Sequence, residues 1–357
     1  MPDLFKDILG SSETLFKNDI ALDFSFQPKL VPYREKEQRF IANCIKPLFQ
    51  EKTGKNVFIS GLQGVGKTVA CKHILSELEE ETEDIIPIYI NCWQRNTTYK
   101  IILEICDLMD FKFVQNKKTE ELFRWLKQNL NKKSVVFVFD EVDKLEDFDF
   151  LYIILEEIYR KTIVLITNYR NWFADLDDRI KSRLMAEVIE FKPYNYEETK
   201  GILSQRVEFA FYPNVLTAEA FELIAKKTAG LQDIRIGLYL IKEAGNIAED
   251  KSSRKILLEH AQQALNNITD FNIKKSSDLG LDEQSVLDLV KNNSGKKIGE
   301  IFKLYQQKGG KLVYKTFQRK IDKLQKNNFV FVEKTFGGNE GNTTIIRHNS
   351  EKKLTDY

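Results

Sequence analysis

The chain has 357 residues, which at about 150 residues per domain predicts two or three domains with sizeable cores. Hydrophobic residues make up 42% of it and aromatic residues 11%, which is typical of a folded protein and excludes a disordered, collagen-like or repeat architecture. The net charge of +1 excludes neither an acidic nor a basic partner.

The same sequence argues against membrane insertion and export. Its longest apolar runs, such as residues 134–139, are far shorter than the ~20 residues of a membrane helix, and the first seven residues lack a signal-peptide pattern. The four cysteines are widely spaced, and there are only three histidines, so neither a structural zinc nor a disulfide framework is indicated. We expect a soluble, cytoplasmic protein whose cysteines are small buried apolar residues.

Charge is distributed unevenly along the chain. Residues 282–357 carry fifteen basic and nine acidic residues, so this part has a net charge of +6 and the rest has −5. A basic C-terminal part attached to an acidic remainder suggests a module that faces nucleic acid, although a solvated surface gives the same count.

Five short apolar runs alternate with helical patterns in the first half of the chain. They cover residues 57–60, 85–90, 135–139, 162–167 and 187–191. Strands that alternate with helices predict a parallel sheet covered by helices on both faces. We therefore predict an α/β domain with a five-stranded parallel sheet over residues 1–192.

Helical patterns dominate after residue 193. Four predicted helices at 196–211, 217–229, 232–249 and 253–267 form a helical unit over residues 193–275, and a polar linker follows at 276–280. Three further helices at 282–291, 298–306 and 314–325 precede two predicted strands at 329–333 and 343–347. Three helices followed by a hairpin predict a winged helix over residues 276–357.

The segment after the first predicted strand carries the strongest motif. Gly61-Leu-Gln-Gly-Val-Gly66-Lys67-Thr68 fits the phosphate-loop pattern and lies between a strand and a helix, as the chemistry requires. Glycines allow backbone N–H groups to surround a phosphate, while Lys67 contacts the β and γ oxygens of ATP and the Thr68 hydroxyl binds Mg²⁺. The predicted ATP/ADP contacts are Gly61, Gln63, Gly64, Val65, Gly66, Lys67, Thr68 and Val69.

Polar residues also follow two later strands. Asp140 and Glu141 end the third run, where a parallel sheet presents its ligand crevice, and Asn168 follows the fourth. We predict that Asp140 helps to hold Mg²⁺, that Glu141 polarises the attacking water and that Asn168 orients this water against the γ-phosphate. A solvated acidic turn and a helix-capping asparagine are the structural alternatives.

Together these motifs resemble those of the AAA+ ATPases, and further motifs narrow the resemblance to archaeal replication initiators of the combined origin-recognition and cell-division-cycle family. It spans residues 15–347. The motifs are Leu15-Phe-Lys-Asn18, Leu30-Val-Pro-Tyr-Arg34-Glu, Tyr89-Ile-Asn-Cys92, Asp140-Glu-Val-Asp-Lys-Leu145, Leu176-Asp-Asp-Arg-Ile-Lys-Ser-Arg183-Leu, Phe191-Lys-Pro-Tyr194 and Asp233-Ile-Arg235.

The resemblance implies roles for residues that no single motif would reveal. Arg183 matches the arginine finger, which reaches the γ-phosphate bound by a neighbouring subunit, and Arg235 matches the second sensor on the helical lid. The structural alternative for Arg183 is an ordinary surface arginine. For Arg235 it is a helix-surface arginine paired with Asp233 or Glu243. Val31, Tyr33 and Arg34 match a segment that lies beside the adenine in this family.

Two segments are candidates for DNA contact. In this family the residues corresponding to 91–109 meet DNA, and here they offer Arg95 and Asn96, together with Gln94 and Thr97. In the predicted helix 314–325, the basic side chains of Lys315, Arg319, Lys323 and Lys326 fall opposite an apolar stripe of Val313, Phe317, Ile321 and Leu324. This pattern suits a recognition helix, whereas the acidic wing tip at 336–341 departs from the family pattern.

The sequence is therefore identified with an ATP-dependent, origin-binding initiator of DNA replication that helps to load a helicase, with slow, switch-like and Mg²⁺-dependent hydrolysis. The resemblance implies as partners double-stranded origin DNA, the minichromosome maintenance helicase and paralogous initiator subunits, and it implies nucleoid association. Two alternatives stay open: another AAA+ DNA motor, of clamp-loader or branch-migration type, and a transcription regulator switched by ATP. A clamp loader would end in a helical collar rather than a winged helix.

Overall fold

The computed structural model describes residues 14–28, 30–111, 114, 117–277, 281–310, 312–326, 329–335 and 343–348. The chain divides into two compact units, Met1–Ala261 and Gln262–Tyr357. Among the described residues, no helix combines the length and the apolarity that crossing a membrane requires.

The first unit is built on one parallel sheet. Its strands are β1 (Val57–Gly61), β2 (Ile85–Asn91), β3 (Ser134–Asp140), β4 (Lys161–Ile166) and β5 (Glu187–Phe191), and their order is β2-β3-β4-β1-β5. Every pair in this sheet is parallel, which confirms the predicted five-stranded parallel sheet. The carboxyl ends of all five strands therefore lie at one edge.

Helices cover both faces of this sheet. They are α1 (Glu35–Ile45), α2 (Lys67–Glu81), α3 (Thr98–Leu108), α4 (Thr119–Leu130), α5 (Asp149–Glu157) and α6 (Asp178–Leu184). Val136 and Val138 of β3 pack in one core with α1 and α2, while Phe137 and Phe139 pack in the opposite core with α3, α4 and α5. Because successive side chains of a strand point to opposite faces, the uninterrupted apolar run of β3 supplies both cores.

Three helices follow the sheet and form the lid: α7 (Tyr196–Ala210), α8 (Ala218–Leu231) and α9 (Ile234–Asp250). Asn195 caps α7 through a reciprocal pair of hydrogen bonds with Glu198, which fixes the point where the chain leaves the sheet. The next helix, α10 (Leu258–Ser277), begins five residues later than predicted, because residues 253–257 form a turn and an isolated bridge between Leu216 and Ile256.

The N-terminal residues lie against the lid. The ring of Phe16 packs against that of Phe211, with 4.8 Å between the ring centroids and a tilt of 33°, and the two residues form an isolated bridge. Buried Arg206 of α7 donates hydrogen bonds to the carbonyl oxygens of Ala21 (3.1 Å) and Phe26 (3.3 Å). Because a buried guanidinium needs partners for its donors, these bonds attach the N-terminal segment to the lid.

The second unit contains α11 (Leu281–Asn292), α12 (Ile298–Gln307) and α13 (Tyr314–Lys326), with a three-stranded antiparallel sheet of β6 (Lys296–Lys297), β7 (Val330–Thr335) and β8 (Thr343–His348). This order of elements is that of a winged helix. The two-residue strand β6 was not predicted, since its two lysines give no apolar signal. The predicted hairpin tip, 337–341, lies outside the described residues.

The apolar stripe of α13 is confirmed with one correction. Phe317, Ile321 and Leu324 are buried in the core of this unit, but Val313, predicted to share the stripe, is 67% exposed. Val313 lies just before α13 begins at Tyr314, so the helical periodicity does not carry its side chain to the buried face.

Replacing Arg206 by Met should lower the free energy of unfolding by about 2 kcal/mol, because two buried carbonyl groups lose a charged donor. Urea unfolding followed by circular dichroism would measure the change. The matched control is Glu208→Gln on the exposed side of the same helix, and equal stability of the two variants would contradict the assignment.

Candidate functional site

The loop between β1 and α2 forms the centre of the site. Gly64 and Gly66 have φ angles of +71° and +87°, a conformation that other residues rarely adopt. A Cβ atom on Gly64 would overlap the Asp233 carboxylate, and one on Gly66 would overlap the Tyr194 hydroxyl. Both positions therefore require glycine for backbone conformation and for space, which leaves the loop backbone free to surround a phosphate.

Lys67 begins α2 and lies buried within this loop. Its ammonium group donates to the carbonyl oxygens of Gly61 (2.8 Å) and Leu62 (2.6 Å) and to Oδ1 of Asn168 (2.9 Å). Burial lowers the pKa of Lys67 to about 8, partly opposed by the negative charge of Asp140. These three oxygens are uncharged and do not neutralise the ammonium group, so an anion such as phosphate is attracted to it.

The next residue, Thr68, contacts the third strand. Its hydroxyl donates to Oδ2 of Asp140 at 2.5 Å, and the Tyr89 hydroxyl donates to the same oxygen at 2.9 Å. The other carboxylate oxygen, Oδ1, accepts the backbone N–H of Glu141 at 2.8 Å. A hydroxyl and a carboxylate at this distance are hard oxygen donors that fit Mg²⁺, whose remaining ligands would be phosphate oxygens and water.

Glu141 lies immediately beyond the strand in a left-handed conformation, with φ of +56°. Burial raises the pKa of its carboxyl group, with a further contribution from the charge of Asp140, while a hydrogen bond from Asn91 acts in the opposite direction. Asn91 is paired with Asp140 in the β2–β3 register, so the last residue of β2 reaches the residue after β3. The geometry gives a carboxylate with one amide partner beside the phosphate loop.

Asn168, two residues beyond β4, contacts the phosphate loop through Lys67. The preceding Thr167 hydroxyl donates to Oδ1 of Asp143 at 2.8 Å, and Oδ2 of Asp143 lies 3.1 Å from the Lys144 ammonium. The segments that follow β3 and β4 are therefore joined by side chains. The structure brings the predicted Lys67, Thr68, Asp140, Glu141 and Asn168 together at one edge of the sheet.

Arg235 of the lid also reaches this loop. Its guanidinium contacts Oε1 of Gln63 at 3.2 Å and both carboxylate oxygens of Asp233, at 3.0 and 2.6 Å. The hydrogen bond to Asp233 raises the pKa of Arg235. The pairing with Asp233, which was the structural alternative, is thus present, and the same side chain also contacts the phosphate loop.

The segment before α1 lies against the loop from another side. Arg34 is buried, donates to the carbonyl oxygens of Val65 (3.1 Å) and Lys192 (2.5 Å), and lies 4.0 Å from the ring centre of Tyr194. The Val31 side chain packs in the core with Val65 and Val69, while Tyr33 is partly exposed and its hydroxyl lies against Gly201 of α7. Arg34 thus supports the loop with two of its nitrogens directed at backbone oxygens, while the third pairs with Glu37 at 3.0 Å.

Arg183 lies elsewhere within the unit. It is on α6, forms an ion pair with Glu156 of α5 and lies over the ring of Tyr152 at 4.9 Å. All its described contacts are with α5 and α6 rather than with the phosphate loop. A role at a nucleotide bound by this same chain is therefore not supported by its described contacts.

The candidate DNA contacts are in two places. Arg95 pairs with Glu104 at 2.6 Å, and the Asn96 side chain hydrogen-bonds Glu146, so both are partly engaged in the first unit. In α13 of the second unit, Lys315 and Arg319 are exposed, whereas Lys320 pairs with buried Glu283 at 2.9 Å. The side chains of Lys323 and Lys326 lie outside the described residues.

Comparison with known proteins agrees with this geometry. Residues 50–170 match a family described as an AAA domain, and residues 200–266 match the Cdc6 AAA+ ATPase-type lid domain. The fold and the site therefore define an AAA+ ATPase with a lid of this type.

Similar proteins of other organisms identify the family within the AAA+ ATPases. The chain is 33% identical over 281 residues to ORC1-type DNA replication protein 1 of Sulfurisphaera tokodaii, covering 74% of this chain and 70% of the relative. It is 32% identical over 346 residues to ORC1-type DNA replication protein 1 of Archaeoglobus fulgidus, covering 90% of this chain and 83% of the relative. The chain belongs to the family of ORC1-type DNA replication proteins.

Solved structures agree. The Aeropyrum pernix ORC1 protein in complex with DNA matches with a TM-score of 0.72 and 25% identity, and the match covers 96% of each chain. The RuvB branch-migration motor of Thermotoga maritima matches with a TM-score of 0.52 and 16% identity, covering 89% of this chain and 94% of the motor, which shows a shared fold alone.

Three residues of the site had no predicted role. Tyr89, Asp143 and Tyr194 occur in the family motifs, but a single tyrosine or aspartate carries no chemical signal of its own. Strand alternation places Tyr89 on the same face of β2 as Asn91, but it does not show that this face meets Asp140.

The lowered pKa of Lys67 predicts a pH dependence of nucleotide binding. Bound phosphates would stabilise the charged ammonium and raise its pKa from about 8. At a pH where Lys67 of the free protein is partly deprotonated, nucleotide binding would therefore be accompanied by proton uptake. Affinity for ATP should therefore be flat at lower pH and weaken by up to about tenfold per pH unit above the pKa of the free lysine. Calorimetry in two buffers of different ionisation enthalpy measures the uptake directly, and its absence on the alkaline side would contradict the prediction.

Proposed function

We propose that this protein is an ATP-dependent initiator of DNA replication that binds double-stranded origin DNA and helps to load the replicative helicase. One observation carries the proposal: the phosphate loop, Asp140 and Asn168 meet in one site of a chain whose full-length match is an ORC1 protein in complex with DNA. The proposed domains are an ATPase core at 1–192, a lid at 193–275 and a winged helix at 276–357.

The chemistry proposed for the site uses residues already in contact. Backbone N–H groups of the loop from Gly61 and the Lys67 ammonium bind the phosphates, with Gln63, Val65 and Val69 lining the loop. Thr68 and Asp140 would hold Mg²⁺, which would neutralise part of the phosphate charge. Glu141 accepts a proton from the attacking water, and Asn168 orients this water.

Hydrolysis is proposed to be slow and switch-like. Asn168 is bonded to Lys67, and Glu141 to Asn91, so both groups have partners before any nucleotide is bound. These partners restrict the orientations in which the two side chains can meet a water, and any rearrangement that hydrolysis requires adds to its barrier. Such an enzyme remains long in the ATP-bound state, as suits a switch.

Subunits are proposed to cooperate in hydrolysis. Arg183 is partly exposed on α6 and contacts Glu156 and Tyr152 of its own chain, an arrangement that suits an arginine finger for the nucleotide of a paralogous initiator subunit. Arg235 is proposed to act within its own chain, since it already contacts Gln63 of the phosphate loop. Val31, Tyr33 and Arg34 are proposed to border the adenine.

DNA contacts are proposed on both units. Lys315, Arg319, Lys323 and Lys326 of α13 would neutralise phosphates in and beside the major groove, and Arg95 and Asn96 would make a second contact. The remaining proposed partner is the minichromosome maintenance helicase, and binding to chromosomal DNA would place the protein at the nucleoid within the cytoplasm.

Two substitutions test the ATPase assignment. Lys67→Ala should abolish ATP binding, whereas Glu141→Gln should bind ATP normally and lose about 100-fold or more in hydrolysis, since it removes the base but leaves the phosphate contacts. Phosphate release and filter binding measure the two effects. Glu157→Gln at the end of α5 is the matched control, and hydrolysis at the wild-type rate by Glu141→Gln would remove Glu141 from the proposed role.

A salt titration tests the DNA surface. If the four basic residues of α13 contact about four phosphates, changing all of them to alanine should reduce the slope of log K against log salt by about 3.6. Fluorescence anisotropy on one duplex gives the slope. Lys132→Ala with Lys133→Ala, which removes two exposed cations of the first unit, should leave the slope unchanged. A slope that does not change after the fourfold substitution would place the DNA site elsewhere.

A further inference from the structure

Tyr89 lies on β2, a strand at the edge of the sheet, and its hydroxyl contacts Asp140 of β3. Tyr89 and Asn91 are two residues apart, so their side chains lie on the same face of the strand. The register pairs Asn91 with Asp140 and Tyr89 with Val138, which brings this face of β2 beside the end of β3. β2 thus supplies a tyrosine hydroxyl to Asp140 and an amide to Glu141.

The hydroxyl of Tyr89 shares its acceptor with Thr68. Oδ2 of Asp140 accepts from Tyr89 at 2.9 Å and from Thr68 at 2.5 Å, while Oδ1 accepts the backbone N–H of Glu141 at 2.8 Å. Asp140 is 3% exposed, so water does not compete freely for these oxygens. Three donors fix the rotation of the carboxylate, and they come from three different segments of the chain.

We propose that Tyr89 is a positioning residue that holds the Asp140 carboxylate in the orientation required for Mg²⁺, an inference that rests on the proposed ATPase function. The Thr68 hydroxyl must turn a lone pair towards the ion when it becomes a ligand. Tyr89 keeps a second donor on Oδ2 throughout, so the carboxylate stays aligned while its contact with Thr68 changes.

The surroundings of the ring suit this role. The Lys72 ammonium lies 4.6 Å from the centre of the Tyr89 ring, and Tyr89 packs against the core formed by α1 and α2. These contacts restrain the ring without using its hydroxyl. A phenol is neutral at physiological pH, so the Tyr89 hydroxyl is available as a donor.

The test compares the Mg²⁺ dependence of nucleotide binding in wild type and Tyr89→Phe. Phenylalanine keeps the ring contacts and removes only the hydroxyl. The dissociation constant of a non-hydrolysable ATP analogue in EDTA should be the same in both proteins, whereas the free Mg²⁺ concentration that gives half of the maximal affinity gain should rise by about tenfold in the variant. Calorimetry gives both quantities without any turnover.

Controls separate the possible failures. Tyr212→Phe removes a hydroxyl from an exposed tyrosine after α7 and should behave as wild type. An unchanged Mg²⁺ midpoint in Tyr89→Phe, or an equal loss of affinity in EDTA, overturns the inference. If wild type itself fails to bind the analogue, the proposed function fails instead. Should Tyr89→Phe unfold, Tyr89→His, whose shorter ring does not carry a donor to Oδ2 of Asp140, should show the raised Mg²⁺ midpoint, and a wild-type midpoint in that variant overturns the inference.

Discussion

The hydrogen bond between Thr68 and Asp140, at 2.5 Å, is the contact on which the geometry of the site depends. It joins the first turn of α2, which follows β1, to the end of β3. In the sheet, β4 lies between β1 and β3, so the loop after β1 must extend across the end of β4 to make this contact. Asn168, just beyond β4, consequently meets Lys67. Strand order thus places three motifs from distant parts of the chain in one site.

Burial disfavours the charged groups of this site when no phosphate is bound. Burial lowers the pKa of Lys67, and burial and Asp140 raise that of Glu141, so both charged forms are disfavoured by the protein interior. A polyanion accompanied by a divalent cation would relieve both, since the anion would lie beside Lys67 and the cation beside the carboxylates. Nucleotide binding should therefore stabilise the folded first unit as well as occupy its site.

Much of this arrangement could be predicted from the sequence. The phosphate loop is recognisable from the sequence because its glycines and lysine occur at the fixed spacing that phosphate binding requires. The apolar strand before Asp140 places that carboxylate at the edge of the sheet. The role of Tyr89 could not be predicted, because its contact depends on the β2–β3 register, which no local pattern specifies. Val313 was predicted wrongly because the apolar stripe was extended one residue before the helix, where helical periodicity no longer sets the direction of a side chain.

The loop is also held from outside the sheet. Arg34 binds the carbonyl oxygen of Val65 and that of Lys192, where the chain leaves β5 for the lid, while Asp233 packs against Gly64 and Arg235 contacts Gln63. These contacts involve two parts of the lid, its entry after β5 and the start of α9. A rotation of the lid must therefore either carry the phosphate loop with it or break these bonds. Because the loop has little space around Gly64 and Gly66, a bound phosphate would fix its shape and, through the same contacts, the angle of the lid.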